Sequence, residues 1–286
     1  MDNLIGLPLT VYTPESQIRA PRKFVRAMFA DLAASRELAW RLFVRDISAQ
    51  YRASLFGVVW AFVPPIITSL IFILLQSRNV VNFDTADIPY PVFVLVGTVL
   101  WQVFTDSLNA PLKSVTEARQ LLVRINFPRE AIILSAMYAV LFNFLIKGIV
   151  LAVIFLIFQL QPTPGLLLAP FAILMLLLFG ICIGLLLTPI GMLYTDVASS
   201  LPIIIQFLFF ATPVVYPPLE SYPFSLLAVL NPVSPLLLGA RDLITKGTMT
   251  NTVPFLIISG ITIILLFVAW VIYRVALPII IERMSA

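Results

Sequence analysis

The sequence predicts an all-α, polytopic membrane protein with six transmembrane helices, an N-terminal amphipathic interface helix and short re-entrant helices between spans five and six. Three observations predict it. Hydrophobic residues make up 60% of the 286 and charged residues 11%, where a soluble domain has roughly 45–50% and roughly 25%. The mean hydropathy of +1.04 is spread over the whole chain, which excludes a soluble domain on one anchor, because a single span would leave most of the chain polar. The lysines and arginines are also divided between alternate connections, as they are when a chain crosses a membrane repeatedly.

Residues 1–30 form an expected cytoplasmic arm. The first 23 carry Asp2, Glu15, Pro8, Pro14 and Pro21 without the apolar core of a secretory signal. Residues 24–52 alternate charge and bulk at helical spacing, pairing Phe24 with Met28, Leu38 with Leu42 and Phe43 with Ile47, with Arg36, Arg41, Arg45 and Arg52 interleaved. Such a helix lies in the inner headgroup region. Its arginines have a second reading as simple topology markers.

Cutting the rest at charges and prolines leaves six apolar runs: 55–76, 91–112, 131–160, 165–194, 201–216 and 253–275. Runs three and four are long enough to tilt or to extend past the bilayer, and run five is short. Fourteen lysines and arginines precede run one, separate runs two and three or follow run six, and three fall on the opposite side, with Lys147 inside a run. This split predicts that both termini are cytoplasmic. The net charge of +4 therefore reflects topology, and no nucleic-acid partner is expected.

Two connections stand out. In residues 113–130, Ser114 and Glu117 have the spacing of a capping box, predicting a short helix to about Arg124, and Pro128 in Asn126-Phe127-Pro128-Arg129-Glu130 predicts a sharp turn into span three. An exposed Phe127 rimmed by charge reads as a docking surface for a soluble partner; an ordinary capped loop is the alternative. In residues 217–252, the apolar stretch from Pro223 to Ile244 is broken at Pro232 and Pro235. Short re-entrant helices closing a pathway, or an interfacial flap, both fit.

Several chemistries are excluded. There is no histidine, hence no His-based catalysis and no His-bound metal, and no metal site is expected. The single cysteine, Cys182, sits in an apolar run and reads as packing. No phosphate-binding G-x-x-x-x-G-K-[ST] sequence is present, so the chain does not cradle ATP itself. Apart from Arg274 at the end of run six, only Asp106 and Lys147 are charged within spans, too few for a proton- or sodium-coupled carrier. Counted from the outer ends of spans two and three they lie about 22 and 20 Å deep at 1.5 Å per residue. A pair at matched depth serves a structural role by lowering the cost of burying each charge; substrate binding is the alternative. Among the 34 aromatic side chains, Trp60, Trp101, Phe104, Phe207, Phe210 and Tyr216 cluster where a pathway would run and stack well on sugar C–H faces; membrane-interface belts are the competing reading.

Four segments carry a family resemblance: Gln50 to Pro64, Asn126 to Glu130, Thr212-Pro213 with Tyr216-Pro217, and Leu230-Asn231-Pro232-Val233-Ser234-Pro235. In that order, with six spans, the chain over about residues 30–283 resembles the transmembrane subunit of ABC-2 type exporters that move O-antigen, teichoic acid or capsular polysaccharide. The resemblance implies a transmembrane domain over 31–286, a homodimer, two copies of a separate ATPase subunit holding ATP and Mg, no cofactor in this chain, a lipid-linked glycan substrate and residence in the bacterial inner membrane. It implies an interface helix at 31–50 and a coupling loop carrying Glu117, Arg124, Asn126, Phe127, Pro128, Arg129 and Glu130. It places Arg45 and Arg52 near a lipid diphosphate, for which guanidinium groups are suited. Pro213, Tyr216, Pro217, Asn231, Pro232 and Arg241 fall at an outer gate. The alternatives within reach are a permease of this type for a drug or small lipid, and an ATP-independent scramblase.

Overall fold

The computed structural model describes residues 21–52, 57–81, 83, 85, 88–124, 127–218 and 230–285. Among these every regular element is helical: α1 Pro21–Arg52, α2 Val63–Ser77, α3 Tyr90–Glu117, α4 Arg119–Arg124, α5 Glu130–Ile157, α6 Ala169–Leu193, α7 Thr195–Ala211, α8 Val233–Thr245 and α9 Thr252–Ser285, with single 3-10 turns at Gly57–Ala61 and Pro164–Leu167. Five stretches are long and apolar enough to cross a membrane: Val59–Ser77, α3, α5, α6 and Thr252–Glu282 of α9.

α3 is the spine of the bundle, packed against α2, α5, α6 and α8. Val92, Val96, Val99, Leu100, Val103, Phe104 and Leu108 are all buried. The α3–α6 approach depends on small residues, the usual route to close helix packing in lipid. A Cβ on Gly180 would stand 2.0 Å from Ser107 Oγ and 2.8 Å from the Phe104 carbonyl oxygen, and one on Gly184 would stand 2.4 Å from the Leu108 carbonyl oxygen. Gly180→Ala is therefore expected to force the helices apart at about 1–3 kcal/mol. A lower thermal midpoint in detergent than for Gly148→Ala, whose added Cβ meets nothing within 4 Å, is the measurement; equal midpoints would refute the packing argument.

α1 follows its amphipathic pattern. Phe24, Met28, Ser35, Ala39 and Leu42 recur at helical intervals of three, four or seven residues and are buried, while Arg22, Lys23, Arg26, Arg36 and Arg41 are exposed. The buried face packs on α5, and the helix begins at Pro21 rather than within the 31–50 window.

Element ends differ from the apolar runs for local reasons. Leu55 and Phe56, at the start of run one, lie outside the described residues. α6 starts only at Ala169, because Pro170 fits the first turn of a helix. α5 stops at Ile157 with Gln159 in a left-handed conformation, φ 50°. Run five shifts: α7 covers Thr195–Ala211, and residues 212–216 leave the helix because Thr212, ahead of Pro213, is extended at φ −105°, ψ 136°. At 17 residues α7 is shorter than the spans. α9 continues well past run six, because Arg274, which ends the apolar pattern, is held by two carboxylates.

The capping-box expectation fails. Ser114 and Glu117 lie in the last turns of α3, which runs out of the bundle unbroken, and only Ala118 separates it from α4. Ser114 offers its carbonyl to the Ala118 N–H at 3.0 Å, as a helix-interior residue does. Pro235 does not break α8; it occupies the first turn, where a missing N–H costs nothing.

Candidate functional site

Three places bring predicted residues together. The first is the turn after α7. Its backbone leaves helical geometry at Thr212, so its carbonyls need partners in a setting where unmet polar groups are costly. Arg241, on α8 and 2% exposed, donates to the carbonyls of Pro213 and Val214, each at 3.1 Å. Asn231 Nδ2 donates to Thr212 Oγ1 at 2.7 Å and its Oδ1 accepts the Val233 N–H at 3.0 Å, tying the turn to the start of α8. Tyr90 donates to the Val215 carbonyl at 3.0 Å and Tyr216 to that of Phe210 at 2.6 Å. The Arg241 guanidinium also lies 3.7 Å from the centre of the Phe93 ring. Burial lowers its pKa to about 9, opposed by the charge of adjacent Asp242, and it stays cationic at neutral pH. Gly97 lets this turn sit close, since a Cβ there would stand 2.1 Å from the Val214 carbonyl oxygen. Pro232 precedes α8 and Pro217 follows the turn, half-buried. Arg241 is thus an internal strut and not a group lining an opening; the carbonyls at the end of α7 draw it inward.

The second place is one side of α3. Between Val96 and Leu112 five positions stay partly open, Gln102, Thr105, Asp106, Asn109 and Ala110, and four of them are polar. At 3.6 residues per turn they form a single stripe. The other spans present apolar outer faces, such as Leu141, Leu145, Ile149 and Val153 on α5 and Ile257, Ile261 and Ile264 on α9. Lys147 of α5 reaches Asp106 with Nζ 2.6 Å from Oδ2. One helical turn earlier, Asn143 accepts a hydrogen bond from Tyr51 at the end of α1, at 3.3 Å. Burial, then the charge of Asp106, holds the Tyr51 hydroxyl above its ordinary pKa, so the field of Asp106 reaches the α1 terminus next to Arg52.

The third place is the end of the bundle where α1, α5 and α9 meet. Arg274 of α9 donates to Glu130 at the start of α5 and to Asp31 of α1. Its guanidinium lies 5.6 Å from the centre of the Phe24 ring. The neighbouring Tyr273 hydroxyl donates to the Arg129 carbonyl at 3.4 Å. Nearby, a polar cleft of about 40 Å³ between α1 and the end of α3 sets Arg45 beside Glu117 and Ser114. Arg45 also pairs with exposed Asp46 at 2.7 Å.

Comparison with known proteins then decides the family. Residues 37–245 match the ABC-2 type transporter family. The chain belongs to it. It is 26% identical over 246 residues to the O-antigen export system permease protein RfbA of Myxococcus xanthus, covering 84% of this chain and 92% of that protein. It is 24% identical over 208 residues to an RfbA of Klebsiella pneumoniae, covering 72% and 79%. It is also 24% identical over 238 residues to the polysialic acid transport protein KpsM of Escherichia coli, covering 82% and 91%.

For an ABC-2 transporter subunit, two of the aromatic assignments need correction. Trp101 and Phe104 are 6% and 0% exposed, with Trp101 against Phe209 and Phe104 stacked on Phe179. They fill the bundle interior because α3 directs that face at α6 and α7, so they line no opening. Trp60, Phe207 and Phe210 are exposed and Tyr216 is half-buried. Glu130 also departs from its expected docking role, being buried at 6%: Arg274 draws it inward. Phe127 and Pro128 are half-buried, and Glu117 is exposed; Arg124 ends α4, and Asn126 lies outside the described residues. The residue-by-residue reading missed Gln102, Asn109, Asp31 and Arg274. A polar 3.6-residue period over Gln102, Thr105, Asp106 and Asn109 was the available signal for the first two; the last two carry none.

Proposed function

We propose that this chain is the transmembrane subunit of an ATP-driven exporter that moves a lipid-linked polysaccharide from the cytoplasmic side of the bacterial inner membrane outward. The observation that carries the reading is the polar stripe of α3. A span whose only partly open face is Gln102, Thr105, Asp106 and Asn109 is poorly matched to lipid and well matched to a hydrated path. A glycan needs such a path and a hydrophobic drug does not. The names of the relatives, O-antigen export and polysialic acid transport, support the same cargo class.

In this reading two copies of the chain enclose the path and bind two copies of a separate ATPase subunit. Both termini face the cytoplasm, as the division of basic residues requires, α7 serves as a sixth crossing, and α8 with the turn at 212–217 closes the outer end. The ATPase docks on α1 and on residues 113–130, where Glu117 and Arg119 are exposed. Arg45 and Arg52, exposed at the foot of α1, receive the lipid diphosphate, bidentate guanidinium contacts being favoured for phosphate oxygens. Purification from native membranes tests the whole scheme. A P-loop ATPase is expected to accompany the chain, with nucleotide hydrolysis in the complex and a diphosphate-linked glycan among the lipids found by mass spectrometry. A chain that purifies alone, without nucleotide-dependent activity, refutes it.

A further inference from the structure

The Asp106–Lys147 pair is lopsided. The Asp106 side chain is 38% exposed and that of Lys147 is 6% exposed, so whatever moves along α3 meets the carboxylate and not the ammonium. Lys147 occupies Oδ2, while Oδ1 has no hydrogen-bond partner among the described residues. A carboxylate only accepts hydrogen bonds, and O–H···O⁻ bonds are among the strong ones.

The neighbours on the stripe lean the same way. Gln102 lies four residues before Asp106 and Asn109 three after, so all three share a face. Asn109 Nδ2 gives one of its two hydrogens to the Thr105 carbonyl at 2.7 Å, and the Thr105 hydroxyl donates to the Gln102 carbonyl at 3.2 Å. What remains on offer is the free carboxylate oxygen of Asp106 beside the two amides of Gln102 and Asn109, each able to donate and accept. The nearest exposed cations among the described residues lie nearer the start of α5: Arg52 follows Tyr51, whose hydroxyl bonds Asn143 one turn before Lys147. Lys113 is seven residues nearer the cytoplasmic end, about 10 Å along the helix, and leans toward Glu117 at 4.0 Å.

We propose that Asp106, flanked by Gln102 and Asn109, is a binding station for the hydroxyls of an uncharged sugar unit, with Lys147 as the residue that positions its carboxylate. The proposal rests on the polysaccharide-export reading and narrows it: the glycan is neutral in the units that pass α3. Adjacent hydroxyls on a pyranose supply the donors that the Asp106 carboxylate requires and can accept from the two flanking amides. A glycan with a carboxylate or phosphate on each unit would meet the exposed carboxylate at the station itself, where the ammonium of Lys147 is buried and Arg52 lies about a turn away.

The test uses the permease–ATPase complex in proteoliposomes with two probes of equal length, an undecaprenyl diphosphate oligomannoside and the corresponding oligoglucuronide. Arrival at the far leaflet is read with an impermeant glycosidase for each. The wild type is expected to move the neutral probe about tenfold faster or more, the scale of a like-charge penalty. Exchanging the pair, D106K with K147D, keeps the two charges together and puts the cation on the open side, and is expected to reverse the preference. The near-isosteric neutral pair, D106N with K147M, is expected to bring the two rates together, and it decides the matter alone if the exchanged pair does not elute as a folded complex. A pair that only stabilises the fold predicts an unchanged ratio in both variants, and that result overturns the station. Equal rates for both probes in the wild type overturn it as well while leaving export standing. Movement of neither probe, with ATP hydrolysis intact, refutes the export reading itself.

Discussion

Arg274→Met is expected to destabilise the chain by about 3–5 kcal/mol, the usual cost of leaving one member of a buried ion pair without its partner. Arg274 joins three helices that are far apart in sequence, α9 to α5 through Glu130 and α9 to α1 through Asp31. Glu130 is the member with nowhere to go. It is 6% exposed and borders an apolar cavity of about 200 Å³ whose walls include Leu32, Met137, Leu178 and Leu266, so without the guanidinium its charge would face hydrocarbon. Asp31, whose side chain is 43% exposed, can be hydrated and contributes less. The midpoint of thermal unfolding of the purified complex should fall sharply in Arg274→Met. It should recover in large part when Glu130→Gln is added, because the remaining group is then neutral. A wild-type midpoint for Arg274→Met would show that the three-helix tie is not a structural support, and failure of the second substitution to recover it would point to Asp31 instead. Since α1 and residues 113–130 are the surfaces proposed for the ATPase and this tie holds α1 in place, the same substitution is expected to weaken coupling of hydrolysis to export.

The second large effect is expected at the turn after α7. Arg241→Met keeps much of the side-chain volume and removes both donors to the Pro213 and Val214 carbonyls. Each buried acceptor left without a partner costs about 1–3 kcal/mol, and loss of the contact with Phe93 adds to this. The turn that closes α7 should then loosen, with a lower midpoint and loss of export. Arg241→Lys is the informative companion. Both bonds come from the one Nη1, which an ammonium can reproduce in part, but the planar guanidinium lying on the Phe93 ring is lost, so an intermediate midpoint is expected. If Arg241→Met unfolds at the wild-type temperature, the carbonyls are satisfied some other way and the strut account is wrong.

Both effects lie at residues whose role was only half legible. Arg241 was placed near the outer gate by its resemblance to a family pattern, yet its direction was not, because nothing in Leu237 to Ile244 shows that the end of α7 lies across from it. Glu130 stood out as an acidic residue after a proline turn. Its burial depends on Arg274, 144 residues away, and no local pattern links them. The Ser114–Glu117 spacing shows the converse error. A capping box is a local signal, and here the hydrogen-bond ladder of α3, already running through Pro111 and Leu112, overrode it.

The sequence by itself determined that the chain is helical and membrane-embedded, which helix carries the amphipathic face, and that no histidine chemistry or ATP-binding loop is available. Those properties follow from composition and from periods of three to four residues, which one helix displays without help from another. Tertiary structure alone decided that Trp101 and Phe104 belong to the interior, that Arg241 supports a turn, that Arg274 ties three helices together, and that Asp106 rather than Lys147 is the exposed half of its pair. In each case the deciding quantity is which face of one helix meets another, and a hydrophobic period cannot reveal that when both lipid and protein interior favour the same apolar side chains.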